Sequence, residues 1–264
     1  MSENKLSVLP DVISSTSDAL QKNLPVTVGQ ADGVLSTVVG FFNNVVLYPV
    51  RKANLTFKYK LEAFEEDLKE KIKDIPAENL QAPPTMIAGP ALEALRYTYD
   101  EAELREMYEN LLASAMDTRI APQTHPSFVD AIRQMSPIDA QVLATITEKP
   151  QLRCAEIKFA MKGTSKVYTY AMPNYFVMEL ASIADPFLVS TSIINLQRLG
   201  FITVVDGRMR DADYQELKTH PYTLSRLSIY EGFGQEIEVN MSERTMVLNN
   251  LGVQFAKVCL SKEI

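Results

Sequence analysis

The side chains that most often carry catalysis or bind metals are few in this chain and lie far apart. Cysteine can act as a nucleophile or a soft metal ligand, and histidine as a general base or a metal ligand. The chain has two cysteines, Cys154 and Cys259, and two histidines, His125 and His220. No two of these four have a spacing typical of zinc ligands. The sequence therefore predicts no metal site and no cofactor.

Motifs of the common enzyme classes are also missing from the sequence. It contains no HExxH, GxSxG or Walker A pattern, and no GxGxxG follows a strand-like segment. Carboxylates are plentiful, but they fall on helix faces, where contact with solvent explains them. We therefore expect no catalytic residues and a protein that is not an enzyme.

The overall charge argues against nucleic acid as a partner. The chain of 264 residues has a net charge of −7, whereas nucleic-acid-binding domains usually carry an excess of Lys and Arg.

Two distant cysteines fit a reducing cytoplasm. The first residues, MSENKLSVLPDVISS, lack the basic and apolar regions of a signal peptide. We expect a cytoplasmic protein, either free or at the inner face of the inner membrane.

An uncharged stretch runs from Gly33 to Val50. On a helix, its small or weakly polar residues would share one arc, and its apolar residues would cover the remainder. The apolar residues are predicted to contact a membrane or a partner: Val34, Leu35, Val38, Val39, Phe41, Phe42, Val45 and Val46. The others are predicted to pack on another helix: Ser36, Gly40, Asn43 and Asn44. A helix without charge must be hidden from water, and lipid and an oligomer core remain equal alternatives.

Helical patterns dominate the residues that follow. Apolar residues recur at spacings of three and four over 51–80, which predicts a long amphipathic helix with an i,i+4 pair of Glu65 and Lys69. The proline-rich segment 81–90 predicts an ordered loop, followed by a helix over 91–99. Asp100 is predicted to cap the next helix, and a short helix is expected over 126–135.

The C-terminal part mixes helices and strands. Ser136-Pro137 and Asp185-Pro186 predict helix starts, and Gly200 predicts the end of the second of these helices. Strands are predicted at 201–205, 222–230 and 236–240, and a short strand and a final helix close the chain. This order is similar to a winged helix. Arg198 is the one basic residue of the helix over 187–199, which favours a protein-contact module over a DNA-binding one.

Short motifs occur in a fixed order between Ile75 and Ser136-Pro137. They are Ile75-Pro76, the segment 87–95 (IAGPALEAL), the segment 103–108 (ELREMY), Leu111-Leu112-Ala113, the segment 125–129 (HPSFV) and Met135-Ser136-Pro137. This series resembles the abortive infection alpha (Abi-alpha) family, and the later LQRLGFI is similar to it as well. The resemblance implies a bacterial or phage-encoded protein of antiviral defence. It implies no catalytic residues.

The resemblance also marks candidate structural positions. Glu93, Arg96, Arg105 and Glu106 are predicted to form an ion-pair cluster between neighbouring helices. His125 is predicted to form a hydrogen bond at the start of the helix after it. For all five residues we expect a role in the scaffold.

These observations predict a mainly α protein with a small β component. The expected parts are an N-terminal arm (1–32), the uncharged and amphipathic helices (33–80), a helical Abi-alpha core (81–135) and a winged-helix-like α/β domain (136–264). The expected function is non-enzymatic antiphage defence, as sensor or effector, by contact with a membrane or with a phage, host or companion defence protein. A homo-oligomer is expected. The alternatives are a soluble oligomeric adaptor and a winged-helix DNA-binding regulator.

Overall fold

The computed structural model describes residues 33, 55–163, 167–168, 171–231 and 236–260. These residues fall into two compact units. The first comprises the described residues up to Gln134 together with residues 258–260, and the second begins at Met135 and ends at Lys257. The described residues are mainly helical, with one small antiparallel sheet, as predicted. The four-part division based on the sequence stays a prediction.

The described residues of the first unit form helices and two short 3₁₀ turns. The helices are α1 (Leu55–Ile72), α2 (Thr85–Thr98), α3 (Ala102–Met116) and α4 (Ser127–Arg133), and the turns are Ala77–Asn79 and Ala121–Gln123. Helix α3 contacts α1, α2 and α4, and its apolar residues Leu104, Leu111 and Leu112 are buried. Burial of each such side chain contributes about 1.5–3 kcal/mol to folding, so α3 is the core of this unit.

Three predicted helix boundaries in the first unit are wrong. Helix α1 ends at Ile72, before Pro76, and not at residue 80. Helix α2 begins at Thr85 instead of residue 91, so Pro90 lies inside a helix where a loop was expected. Pro90 has no N–H to donate to the carbonyl of Met86, but the burial of Ile87 and Ala88 holds this turn on the core. Asp100 does not cap α3. The N-cap is Glu101, without a side-chain hydrogen bond, and Asp100 instead forms an ion pair with Lys60 of α1 at 2.5 Å.

Among its described residues, the second unit has five helices and four strands. The elements are α5 (Pro137–Glu148), β1 (Gln151–Met161), β2 (Val167–Tyr168), α6 (Pro186–Arg198), β3 (Ile202–Asp206), α7 (Gln215–Thr219), α8 (Pro221–Glu231), β4 (Ile237–Leu248) and α9 (Asn250–Cys259). The last two residues of α9 belong to the first unit. A 3₁₀ turn covers Met178–Leu180.

The strands form one antiparallel sheet in the order β2-β1-β4-β3. The two central strands pair along their whole length, from Gln151 opposite Val247 to Met161 opposite Ile237. One sheet face carries Ala155, Ile157 and Phe159, and because side chains alternate along a strand these three point the same way. They form a buried cluster with Phe176, Tyr214 and Leu217, which is the core below the sheet.

Cap signals placed helices α5 and α6 of the second unit correctly. Ser136 and Asp139 form a capping box at the start of α5, and the Asp185 carboxylate accepts a hydrogen bond of 2.9 Å from the Phe187 N–H at the start of α6. Gly200 follows α6 with a φ of 80°, a conformation that favours glycine. The element order is compatible with a winged helix. The winged-helix fold itself stays a prediction.

One predicted strand is wrong, because residues 222–230 belong to helix α8. The alternation of apolar and polar residues suggested a strand, but Leu227 and Tyr230, three residues apart as on one helix face, pack on the core cluster, and so does Tyr222. Thr223 is buried, and its hydroxyl donates to the Leu217 carbonyl of the preceding helix at 2.7 Å. Pro221 at the first helical position was the overlooked signal.

Candidate functional site

The predicted contact helix lies almost wholly outside the described residues. Of the stretch 33–50 the structure describes Gly33, which is helical and exposed. The predicted apolar contacts, Val34, Leu35, Val38, Val39, Phe41, Phe42, Val45 and Val46, lie outside the described residues. So do the predicted packing residues Ser36, Gly40, Asn43 and Asn44. Within the described ranges, no helix is long and apolar enough to cross a bilayer.

The two cysteines are placed as core residues. Cys154 on β1 and Cys259 at the end of α9 are both fully buried. Burial raises the pKa of the Cys154 thiol to about 12 and raises the pKa of Cys259 well above its ordinary value. A thiol reacts as the thiolate, so both side chains are held in the unreactive form.

Both histidines take part in local hydrogen bonds at helix starts. The Nδ1 atom of His125 accepts a hydrogen bond of 3.1 Å from the Ser127 N–H at the start of α4. The Nδ1 atom of His220 accepts one of 3.2 Å from the Tyr222 N–H, and the His220 ring packs edge-on against Phe176. Across the residues that the structure describes, no group of three His, Cys, Asp or Glu residues could hold a metal ion.

A buried glutamate and a partly exposed arginine lie close together in the first unit. Glu109 of α3 is 3% exposed, and its Oε1 lies 3.5 Å from the Nε of Arg105. These two atoms are buried and form no hydrogen bond, although the pair is close enough for strong attraction. Arg105 also donates from Nη1 to the Tyr99 carbonyl at 2.9 Å, and its guanidinium lies over the Tyr99 ring.

The Glu109 carboxyl is poised to hold a proton near neutral pH. Burial, and then the negative charge of Asp67, raise the pKa of Glu109 to about 7, although Lys71 and Arg105 act in the opposite direction. Such a pKa suits a general base. The side chain is nevertheless almost completely hidden from solvent, so a substrate cannot reach it in this conformation. The sequence analysis did not single out Glu109, because its burial depends on packing between helices far apart in the chain.

The predicted ion-pair residues are placed on α2 and α3. Arg105 pairs with Glu109, as described above, and Glu106 lies 3.8 Å from Lys71 of α1. Glu93 is exposed on α2, which also contains Arg96. The predicted cluster joining all four of these residues to one another stays a prediction.

One comparison assigns the chain to a family. A family model described as abortive infection alpha matches residues 56–259. The chain belongs to the abortive infection alpha family. This membership confirms the resemblance found in the sequence and supports a role related to abortive infection. No curated protein and no solved structure matches the chain.

Two helices within the family match expose apolar side chains in a row. On α2, the outward positions are Met86, Pro90, Glu93 and Tyr97, which we call the α2 face. On α6, the outward positions are Phe187, Leu188, Thr191, Ile194 and Arg198, which we call the α6 face. Among these outward positions, Glu93 is the charged residue of the α2 face and Arg198 that of the α6 face. Large exposed apolar rows of this kind are typical of surfaces that bind a partner.

Proposed function

We propose that this member of the abortive infection alpha family acts in antiphage defence by contact with a protein partner or a membrane, as sensor or effector, and not by a reaction of its own. The observation that carries the proposal is the α2 face. Met86 is 64% exposed and Tyr97 is 75% exposed, although the other side of the same helix is buried in the core.

The geometry of the α2 face suits a partner surface. Its four residues follow one another at spacings of four, three and four, so they lie on one line along the helix. The line is about 16 Å long at about 1.5 Å per residue. Methionine and tyrosine are both enriched in protein interfaces, where a flexible thioether and a rigid ring adapt to a partner. We propose a phage component, a host component or a companion defence protein as the occupant.

The groups that could do chemistry are used in the scaffold, which also supports this proposal. Both thiols are buried with raised pKa values. Both histidines accept backbone hydrogen bonds at helix starts. The neutral-pH carboxyl of Glu109 lies beneath the surface.

The uncharged stretch from Gly33 to Val50 is proposed as a second contact element, on the strength of its sequence. Eighteen residues without charge would be costly to expose to water. Lipid and an oligomer core both remain open as the environment of this stretch. The basic residues Arg51 and Lys52 that follow it would favour anionic headgroups.

The α2 face is tested by paired substitutions in the full-length protein. Met86→Asp and Tyr97→Asp place a charge on the face, whereas the controls Met86→Leu and Tyr97→Phe keep it apolar. We expect the aspartate variants to lose phage protection in a plating assay and to lose proteins captured by the wild type from infected cells. The controls should keep both. Full protection by correctly folded aspartate variants would refute a contact through α2.

The stretch 33–50 is tested in the same assays and by liposome flotation. Val38→Asp places a charge among the apolar residues, and Ser36→Asp places the same charge among the small polar ones. We expect Val38→Asp to have the larger effect on flotation or on oligomer size. If Val38→Asp leaves protection, flotation and oligomer size unchanged, this part of the proposal is wrong.

A further inference from the structure

The α6 face has a charge pattern that complements itself. Asp185 caps the N-terminus of α6 and Arg198 is its last residue, so opposite charges stand at opposite ends of the helix. The twelve residues between them, PFLVSTSIINLQ, carry no charge. We propose that a second copy of this chain packs its α6 antiparallel against this face and forms a two-fold symmetric dimer. This inference goes beyond the proposed function and does not depend on the α2 face or on residues 33–50.

The exposed apolar side chains supply the contact area. Leu188 is 52% exposed and Ile194 is 44% exposed, and the ring of Phe187 is partly exposed beside them. Phe187, Thr191, Ile194 and Arg198 follow at spacings of four, three and four, which puts them on one line of the helix. Such a line is the seam along which two helices pack.

Charge selects the antiparallel arrangement. A parallel pair would place Arg198 against Arg198 and Asp185 against Asp185. An antiparallel pair places each Asp185 near the Arg198 of the other copy, and it also opposes the two helix dipoles. A two-fold axis makes both contacts at once, because each surface patch meets its own copy.

The centre of the face allows close approach. Thr191, the middle residue of the line, is small, and its hydroxyl donates to the Phe187 carbonyl of its own helix at 3.0 Å. Its polar atom is therefore already bonded when a second helix covers it. Packed helix axes lie about 8–10 Å apart. Two copies of Thr191 beside the axis would then bring their Cα atoms within the distance that a disulfide spans.

A neighbouring arginine limits the strength of this contact. The guanidinium of Arg226 lies 5.6 Å from the centre of the Phe187 ring, and its Nε donates to the Ala171 carbonyl at 2.9 Å. In the dimer, the positive charge of Arg226 beside Phe187 would repel the Arg198 that a second copy brings to this end of the helix. We therefore expect a weak dimer that dissociates further as salt is added.

Position-specific cross-linking tests the dimer in the full-length protein. Thr191→Cys should form a disulfide-linked dimer under mild oxidation, and the buried Cys154 and Cys259 should not interfere. Gln141→Cys, exposed on α5, is the matched control and should cross-link several-fold more slowly. Cross-linking of Thr191→Cys no faster than this control would overturn the proposal, even if the protein oligomerises through another surface.

Charge variants test the antiparallel arrangement. Arg198→Glu in the Thr191→Cys background should lower the cross-linking rate several-fold at low salt, because it sets two carboxylates against each other. Adding Asp185→Asn should restore part of that rate, since asparagine keeps the helix cap but removes the repulsion. Circular dichroism checks that each variant is folded. An unchanged rate in folded Arg198→Glu would overturn the arrangement proposed here.

Discussion

The pH dependence of stability should contain a distinct contribution from Glu109. Burial is the main reason that its pKa lies at about 7 instead of 4.5. Between these two pH values the folded protein binds a proton at Glu109 that the unfolded chain has largely released. Stability from this residue is therefore greatest at low pH, declines as pH rises through this window and is lost above about pH 7.

The size of the effect follows from the difference in pKa. One pKa unit corresponds to about 1.4 kcal/mol. The free energy of unfolding should therefore fall by about 3 kcal/mol over the whole window because of Glu109. About 2.5 kcal/mol of this fall should lie between about pH 5 and about pH 8. The pKa of about 7 already includes the attraction of the carboxylate to Arg105 and Lys71. That attraction lowers the pKa by less than burial raises it.

Glu109→Gln isolates this contribution, because glutamine has the size of the neutral carboxylic acid and does not ionise. We expect its unfolding free energy, relative to the wild type, to rise by about 2.5 kcal/mol from about pH 5 to about pH 8. Urea unfolding followed by circular dichroism measures this difference, since the chain has no tryptophan for fluorescence. Glu93→Gln removes an exposed carboxylate of α2 that is not among the charges acting on Glu109, and it is the control. If the difference between Glu109→Gln and the wild type is the same at both pH values, the reasoning is wrong.

Two further predictions concern close packing and the thiols. Gly252→Ala should lower the unfolding free energy by about 1–3 kcal/mol, because the added Cβ would lie 2.3 Å from the Phe201 carbonyl oxygen; denaturant unfolding checks this, and an unchanged midpoint would contradict it. Cys154 should react with a maleimide at least about a thousandfold more slowly in the native protein than a solvent-exposed thiol, because burial raises its pKa to about 12. Rapid labelling of the folded protein would refute that expectation, and labelling in denaturant is the control.

Local signals in the sequence predicted much of the fold. Ser136-Pro137, Asp185-Pro186 and Gly200 act through neighbouring backbone groups, so their meaning does not depend on the rest of the chain. The segments 85–90 and 222–230 were assigned wrongly. Both segments are helical, because the packing of apolar residues such as Ile87 and Leu227 against distant elements outweighs the local preference for a loop or a strand.

The candidate sites were harder to predict. Glu109 is one acidic residue among many on a helical pattern, and its burial, followed by the charge of Asp67, makes its pKa unusual. The α6 face could have been recognised from the sequence, because a surface helix with no charge between its cap and Arg198 is uncommon. The α2 face could not, since Pro90 suggested that its first half was a loop.

The sheet order has a consequence for how the chain is synthesised. Strand β1 pairs with β2 over two residues, but most of its partners lie in β4, far along the chain. Pairing such distant segments is slow, because the entropy cost of closing a long loop comes before the strand contacts can stabilise the chain. On the ribosome, β1 must therefore wait for β4 to emerge, with its backbone and apolar side chains open to chaperones in the meantime. A chain cut short before β4 would therefore have an incomplete sheet.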